Sequence, residues 1–227
     1  MKLRILVGSL LVWESFPGWA MPGIGALALS GGRSFCAFSP FLNRSEKIEE
    51  SASFQVKKGD RKADAEQLAR ALDYFSSEKF HECLVLLQPL NRRYKLNPRY
   101  RAYLAVCLYY EWEYAEAIRL FDEVIPLLQG LAPHELSLYY WMDAESYFAL
   151  QQYDRALPLY EKMLPLCRDN EKPDAYYRMG FCHLFAEERK KAKECFELSL
   201  EGYLKYRNTP NEKARIAQIR HMIGGLK

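Results

Sequence analysis

The sequence lacks the short motifs that metal, phosphate and nucleophile chemistry require. Its six cysteines form no C-x-x-C pair, its four histidines form no H-E-x-x-H, and no glycine-rich loop is followed by the lysine of a phosphate site. Cys182 and His183 are adjacent, but neighbours on a helix point about 100° apart and cannot act as a nucleophile–base pair. We therefore expect no catalytic residue, no metal site, no cofactor and no enzymatic activity.

Neither sign of charge dominates the chain. Lys and Arg total 32 against 29 Asp and Glu, and the formal net charge of +3 is too small to indicate nucleic acid. Residues 201–227 are locally basic, but no aromatic platform accompanies them, so we expect no nucleic-acid partner. An apolar fraction of 49% and an aromatic fraction of 14% are enough for a sizeable core and argue against a disordered chain.

The N-terminus carries two apolar stretches, residues 5–13 and 21–30, and the second contains a small-x-small cleavage site at Ala26-Leu27-Ala28. Lys2 and Arg4 precede the run at residues 5–13, which is well short of the ~20 residues of a membrane-spanning helix. Small residues at Gly18 and Ala20 then occupy the positions that a signal peptidase reads. The pattern predicts a signal peptide or a membrane anchor, and hence an exported, periplasmic or membrane-associated protein. A cytoplasmic location is the alternative.

A pattern of small and bulky residues occurs four times along the chain. A small residue is followed by a second small residue twelve positions later, and by an aromatic residue or Leu four positions after that. Each copy starts 34, 39 or 36 residues after the one before it, a period that indicates a solenoid of helix–turn–helix units. The four copies are Ala71–Cys83–Leu87, Ala105–Ala117–Phe121, Ala144–Ala156–Tyr160 and Gly180–Ala192–Phe196.

Apolar periodicity and prolines predict where the helices of these units lie. The predicted pairs are residues 62–75 and 80–90, 99–110 and 114–128, 135–150 and 153–165, and 174–186 and 189–206. A further helix follows, which Thr209 and Glu212 would open as a capping box. Ile216, Ile219 and Ile223 give it one apolar face, as is typical of the helix that covers the open end of a repeat array.

The repeated unit resembles the tetratricopeptide repeat (TPR). Three units carry the small and aromatic residues at TPR spacing, and the first unit is degenerate. The matching residues are Leu104, Ala105, Leu108, Tyr114, Ala117 and Phe121 in the second unit, Ala144, Tyr147, Tyr153, Ala156 and Tyr160 in the third, Gly180, Ala192 and Phe196 in the fourth, and Ala71, Tyr74, Phe80, Cys83 and Leu87 in the first.

The resemblance implies an all-α fold, a right-handed α-solenoid of about four TPR-like helical hairpins plus a C-terminal capping helix. The leader pattern, independently of the resemblance, predicts a signal peptide or membrane anchor over residues 1–20 and a low-order linker over residues 21–60. Residues 61–207 form the TPR array and residues 208–227 the capping helix.

In TPR proteins the first helix of each pair lines a concave surface, which the resemblance makes the candidate site. The members that hold a chaperone's C-terminal carboxylate use Lys, Asn and Arg there, whereas this chain has mostly apolar residues at those places, so such a clamp is not expected. The candidate groove residues are Leu72, Phe75, Val106, Tyr109, Tyr110, Trp141, Glu145, Phe148, Tyr177, Phe181 and Phe185. Large aromatic residues dominate binding hot spots, but they serve equally as packing against neighbouring helices or the N-terminal segment.

Three functional hypotheses follow. The first is a non-enzymatic protein–protein interaction scaffold at the cell envelope, which binds a protein or peptide segment in the aromatic groove. The second is a cytosolic TPR chaperone or adaptor for a secreted or assembly protein. The third is a ligand-binding transport accessory protein. The apolar N-terminal segment would serve as a membrane tether if it is not cleaved.

Overall fold

A computed structural model describes residues 58–226, which form nine α-helices and, within that range, no β-strand. The predicted leader and nearly all of the predicted linker lie outside the described residues. The helices are α1 Lys58–Ser76, α2 Phe80–Arg93, α3 Pro98–Tyr110, α4 Tyr114–Val124, α5 Pro133–Ala149, α6 Tyr153–Met163, α7 Lys172–Phe185, α8 Arg189–Tyr206 and α9 Lys213–Gly225.

Successive helices pair into four hairpins, α1–α2 to α7–α8, and each hairpin packs against the next. All four hairpin turns use one residue with positive φ, namely Glu78, Trp112, Gln151 and Glu187, at 57° to 65°. In each turn the next residue donates its backbone N–H to a carbonyl five residues earlier, for example Glu113 to Leu108 at 2.9 Å. A residue in the left-handed conformation thus follows the first helix of every hairpin. Glycine commonly occupies this position after a helix.

The repeated small residues lie where the two helices of each hairpin cross. Every member of the four triplets is buried, which confirms the pattern on which the repeat prediction depended. The fourth triplet is tightly packed, because a Cβ on Gly180 would lie 2.6 Å from the ring of Phe196. A small residue at the crossing therefore leaves room for the bulky third member of the same triplet.

Two second helices end earlier than predicted. α4 stops at Val124 rather than 128, and a 3₁₀ turn at Ile125–Leu127 follows it. Pro126 has no backbone N–H to continue the α-helical hydrogen bonds, which explains the change. α6 ends at Met163, two residues before the predicted end at Pro165.

The predicted capping box before the last helix was wrong. Thr209 makes no side-chain cap, and a 3₁₀ turn at Pro210–Glu212 opens the segment instead. Glu212 accepts a hydrogen bond from Arg207, which also donates to Asp174 over 2.5 Å. Arg207 therefore links α7 to the start of the last helix. It hydrogen-bonds the Glu212 carboxylate that the predicted capping box would have used.

α9 covers the open end of the array. Ile216 and Ile219 are buried in one cluster with Tyr177, Phe196 and Tyr203 of the fourth hairpin. The all-α, TPR-like solenoid with a C-terminal covering helix is therefore the observed fold. Within residues 58–226 no helix is both long and apolar enough to cross a membrane.

Candidate functional site

The predicted groove residues lie on α1, α3, α5 and α7, the first helices of the four hairpins. They differ widely in exposure. Phe75, Val106, Tyr177 and Phe181 are buried, while Phe185 exposes 54% of its surface. The remaining six residues are half-buried, namely Leu72, Tyr109, Tyr110, Trp141, Glu145 and Phe148. Their role in binding a partner stays a prediction, but the structure assigns each a definite place.

One aromatic ladder joins the third and fourth hairpins. The ring of Tyr153, at the start of α6, stacks on Phe185 with centroids 4.3 Å apart and planes 16° from parallel. Phe148 meets the same Tyr153 ring edge-on at 5.0 Å, and Phe181 stacks on Phe185 at 6.3 Å. The exposed Phe185 ring is therefore packed against two other aromatic rings, those of Tyr153 and Phe181.

A second aromatic cluster joins the first and second hairpins. Tyr110 stacks on Phe80 at 3.9 Å, and Tyr109 meets Tyr110 edge-on at 5.3 Å. Phe75 stacks on Tyr103 of α3 at 4.3 Å. These predicted groove residues therefore pack between hairpins, which was the alternative interpretation of the aromatic residues.

Glu145, the acidic residue of the predicted groove, is neutralised within the structure. Its carboxylate accepts a hydrogen bond from Arg178 at 2.6 Å and from the Tyr160 hydroxyl at 2.5 Å. Burial, the largest single influence, lowers the pKa of Arg178, but the charge and hydrogen bond of Glu145 together with the nearby Tyr160 and Tyr109 outweigh it and raise that pKa. The Arg178 guanidinium also lies 4.7 Å from the centre of the Phe148 ring, a cation–π contact.

Arg178 and Tyr153 contact the predicted groove residues of the third and fourth hairpins, but they were not predicted from the sequence as parts of this surface. Tyr153 begins a second helix, and only first helices were assigned to the groove. Arg178 follows the assigned residue Tyr177 on α7. A search for an oppositely charged residue about one repeat after Glu145 would have found it, since helices of adjacent repeats lie side by side.

The described part of the chain offers little reactive chemistry. Between residues 58 and 226 no three His, Cys, Asp or Glu side chains converge as metal ligands would. Burial raises the pKa of Cys182 to about 12 and that of Cys195 to about 11, so both thiols stay protonated at neutral pH. His183 lies 2.7 Å from the carboxylate of Glu188 and forms an ion pair when protonated.

No protein-family model and no curated protein sequence matches the chain. Solved structures do resemble it. The chain is similar to MamA AMB-1 (TM-score 0.59, 11% identity, 74% of this chain and 82% of that one) and to the apo form of RapI (TM-score 0.55, 12% identity, 72% and 62%). It is also similar to MamA from Desulfovibrio magneticus RS-1 (TM-score 0.50, 16% identity, 72% and 92%). At such low identity these similarities establish the TPR-like fold and nothing beyond it.

Proposed function

We propose that this protein is a non-enzymatic interaction scaffold that binds an apolar segment of a partner protein along the first helices of its hairpins. The proposal rests on the aromatic surface of the third and fourth hairpins, where Phe185 is the most exposed of the predicted groove residues. An apolar partner side chain placed on that surface would meet rings that are already ordered.

The solvent exposure of Phe185 is the observation that supports the proposal. More than half of this large apolar side chain is in contact with solvent, although it lies at the end of a helix whose other aromatic residues are buried or half-buried. Its stacking on Tyr153 means that binding would cost little additional side-chain entropy. Aromatic residues, Phe included, are enriched at protein interfaces relative to the rest of the surface.

The charge of the surface favours an apolar partner segment. Glu145 and Arg178 compensate each other, and the Arg178 guanidinium faces the Phe148 ring rather than open solvent. A charged partner residue would have to disrupt this pair to find a counter-ion, and breaking a pair that is largely shielded from solvent is costly. A segment with apolar anchors avoids that cost.

Site-specific photo-crosslinking from position 185 tests this function. A photoreactive phenylalanine analogue replaces Phe185 in cells, and a matched control replaces Val85 of α2, which is equally exposed at 55%. The proposal requires a discrete adduct from position 185 that is absent from position 85. The purified partner must then bind Phe185→Ala at least about tenfold more weakly than the parent chain, with Val85→Ala unaffected. Equal adducts at both positions, or none, would overturn it.

We further propose that the scaffold operates at the cell envelope. This part of the proposal rests on the basic start, the short apolar run and the small residues within residues 1–20. The mass of the intact mature protein from fractionated cells tests it. Loss of about 20 to 28 N-terminal residues in an envelope fraction would support export. A full-length chain in the cytosol would favour the chaperone or adaptor hypothesis instead.

A further inference from the structure

A cleft of about 290 Å³ opens where the first hairpin meets the second. It lies between the C-terminal end of α2, the loop that leads to α3, and one face of α4. Four of its seven lining residues are cationic and one is acidic. The lining residues are Asn91, Arg92, Arg93, Tyr94, Lys95, Arg101 and Glu123.

Two of the cations already bind carboxylates of this chain. Arg101 donates from both terminal nitrogens to the Glu123 carboxylate, at 2.8 Å for the Nη1–Oε1 pair. Arg93 donates to Asp64 over 2.5 Å, and the Tyr94 hydroxyl donates to the other oxygen of the same carboxylate. Both arginines thus hold a carboxylate of the chain itself, and Arg101 does so through two hydrogen bonds, a geometry that arginine favours.

Arg92 and Lys95 are the two cations of the cleft that remain available to the carboxylates of a partner. Both are exposed, and no side-chain hydrogen bond or close ion pair joins either to a residue between 58 and 226, although Lys95 is near enough to Glu123 to help lower the pKa of that carboxyl group. Arg92 lies in the last turn of α2, where a positive charge interacts favourably with the helix dipole. Lys95 lies beyond that helix and Arg101 lies on α3, so the helix dipole does not account for the cluster.

We propose that this cleft is a docking site for an acidic, Asp- or Glu-rich segment of a partner protein. Arg92, Lys95 and the solvent-exposed half of Arg93 would pair with its carboxylates, as Arg93 and Arg101 pair with Asp64 and Glu123. An extended segment fits better than a single compact anion, because the cations are spread around an open cleft. The site is distinct from the neutral aromatic surface around Phe185 and stands independently of it.

Fluorescence anisotropy of a short labelled Glu-rich peptide, with the full-length protein at low salt, tests the proposal. The double variant Arg92→Glu/Lys95→Glu reverses the two open charges. The matched control Arg189→Glu/Lys190→Glu changes the net charge equally, at exposed residues of α8. We expect the cleft variant to bind at least about tenfold more weakly and the control to change by less than about twofold. Phe185→Ala should leave the affinity unchanged.

Three results would overturn the proposal. One is failure of the Glu-rich peptide to bind better than a Gln-rich peptide of the same length. Another is equal loss in both charge-reversal variants, which would indicate the general field of the protein rather than the cleft. The last is tighter binding of a single-stranded RNA of matched length, because the site would then recognise phosphates. Thermal melting checks that the variants fold, and Arg92→Gln/Lys95→Gln replaces the first variant if it does not.

Discussion

The rings of Phe80 and Tyr110 lie face to face, with centroids 3.9 Å apart and planes 1° from parallel. Phe80 is the first residue of α2 and Tyr110 the last of α3, so the contact joins the first hairpin to the second. Tyr153 and Phe185 hold the equivalent positions at the start of α6 and the end of α7, and they stack in the same way. The same contact thus connects two of the three successive pairs of hairpins.

A double-mutant cycle measures the strength of the first stack. Phe80→Leu and Tyr110→Leu are made singly and together, and the free energy of unfolding is obtained from urea denaturation. Because the two rings touch directly, we expect a coupling energy of about 0.5 to 1.5 kcal/mol. A cycle between Phe80 and Phe196 of the fourth hairpin is the control and should give a value near zero. A coupling energy near zero for Phe80 and Tyr110 would mean that the stack adds nothing beyond general burial.

The middle pair of hairpins lacks the stack, and this offers a stabilising substitution. Tyr114 begins α4, but the last residue of α5 is Ala149, so among the aromatic rings of residues 58–226 that of Tyr114 meets only Tyr109, edge-on at 5.9 Å. Ala149→Phe should complete the series and raise the free energy of unfolding by roughly 0.5 to 1.5 kcal/mol. Ala115→Phe, at an exposed position of α4, is the control. A lower stability for Ala149→Phe would show that the site has no room for a ring.

The hairpins could be predicted from sequence because their signals are local. The spacing within each triplet is set by the helix period. It places the small residues at the helix crossings and the bulky residue one turn after the second of them. All twelve are buried as that spacing requires. Helix starts at Phe80, Tyr114, Tyr153 and Arg189 were predicted to the residue, since each follows a short polar turn.

The ion pairs and stacks between hairpins could not be predicted in the same way. Glu145 and Arg178 are 33 residues apart, and their contact depends on how the third hairpin packs against the fourth. Glu212 matched a capping-box spacing, yet Arg207 took its carboxylate because Arg207 lies between Asp174 and Glu212 in space. Which side chains pair across hairpins depends on how residues far apart in sequence pack together. A periodic sequence pattern carries no information about that packing.

Glycine should stabilise the hairpin turns. Glu78 has a φ of 57°, a left-handed conformation that costs a residue with a Cβ about 1 to 2 kcal/mol. Glu78→Gly should therefore raise the free energy of unfolding by about 1 kcal/mol once the greater freedom of glycine in the unfolded chain is subtracted. The neighbouring Ser77→Gly is the control, because Ser77 is not left-handed, and it should lower stability. Urea denaturation of both variants decides the point, and a loss of stability in Glu78→Gly would contradict it.

Stability should fall between about pH 4 and pH 8 because of Asp143. This carboxyl group is buried, and its Oδ1 atom has no hydrogen-bond partner within the described range. Burial raises its pKa to about 8; Asp122 adds to the shift, and Lys162 opposes it. The folded state therefore binds this proton more tightly than the unfolded state does. The resulting stabilisation is complete below the ordinary pKa near 4 and is lost as pH rises through about 8.

Asp143→Asn removes that dependence. The variant should match the parent protein at about pH 4 and exceed its stability by on the order of 2 to 4 kcal/mol at about pH 9, because an amide never has to ionise in the buried site. Asp154→Asn, at an exposed carboxylate of α6, is the control and should leave the pH profile unchanged. Parallel profiles for Asp143→Asn and the parent protein would show that Asp143 is solvated in solution.

Gly180 and Gly224 should respond to alanine with opposite signs, although both lie in helices. A Cβ on Gly180 would meet three atoms of the Phe196 ring at 2.6 to 2.9 Å, and that ring is fully buried. Gly180→Ala should therefore cost about 1 to 3 kcal/mol. No atom lies within 4 Å of a Cβ on Gly224, so Gly224→Ala should add up to about 1 kcal/mol through helix propensity. If the clash is the cause, Phe196→Leu should cost less in the Gly180→Ala background than in the parent chain, and equal costs would contradict it.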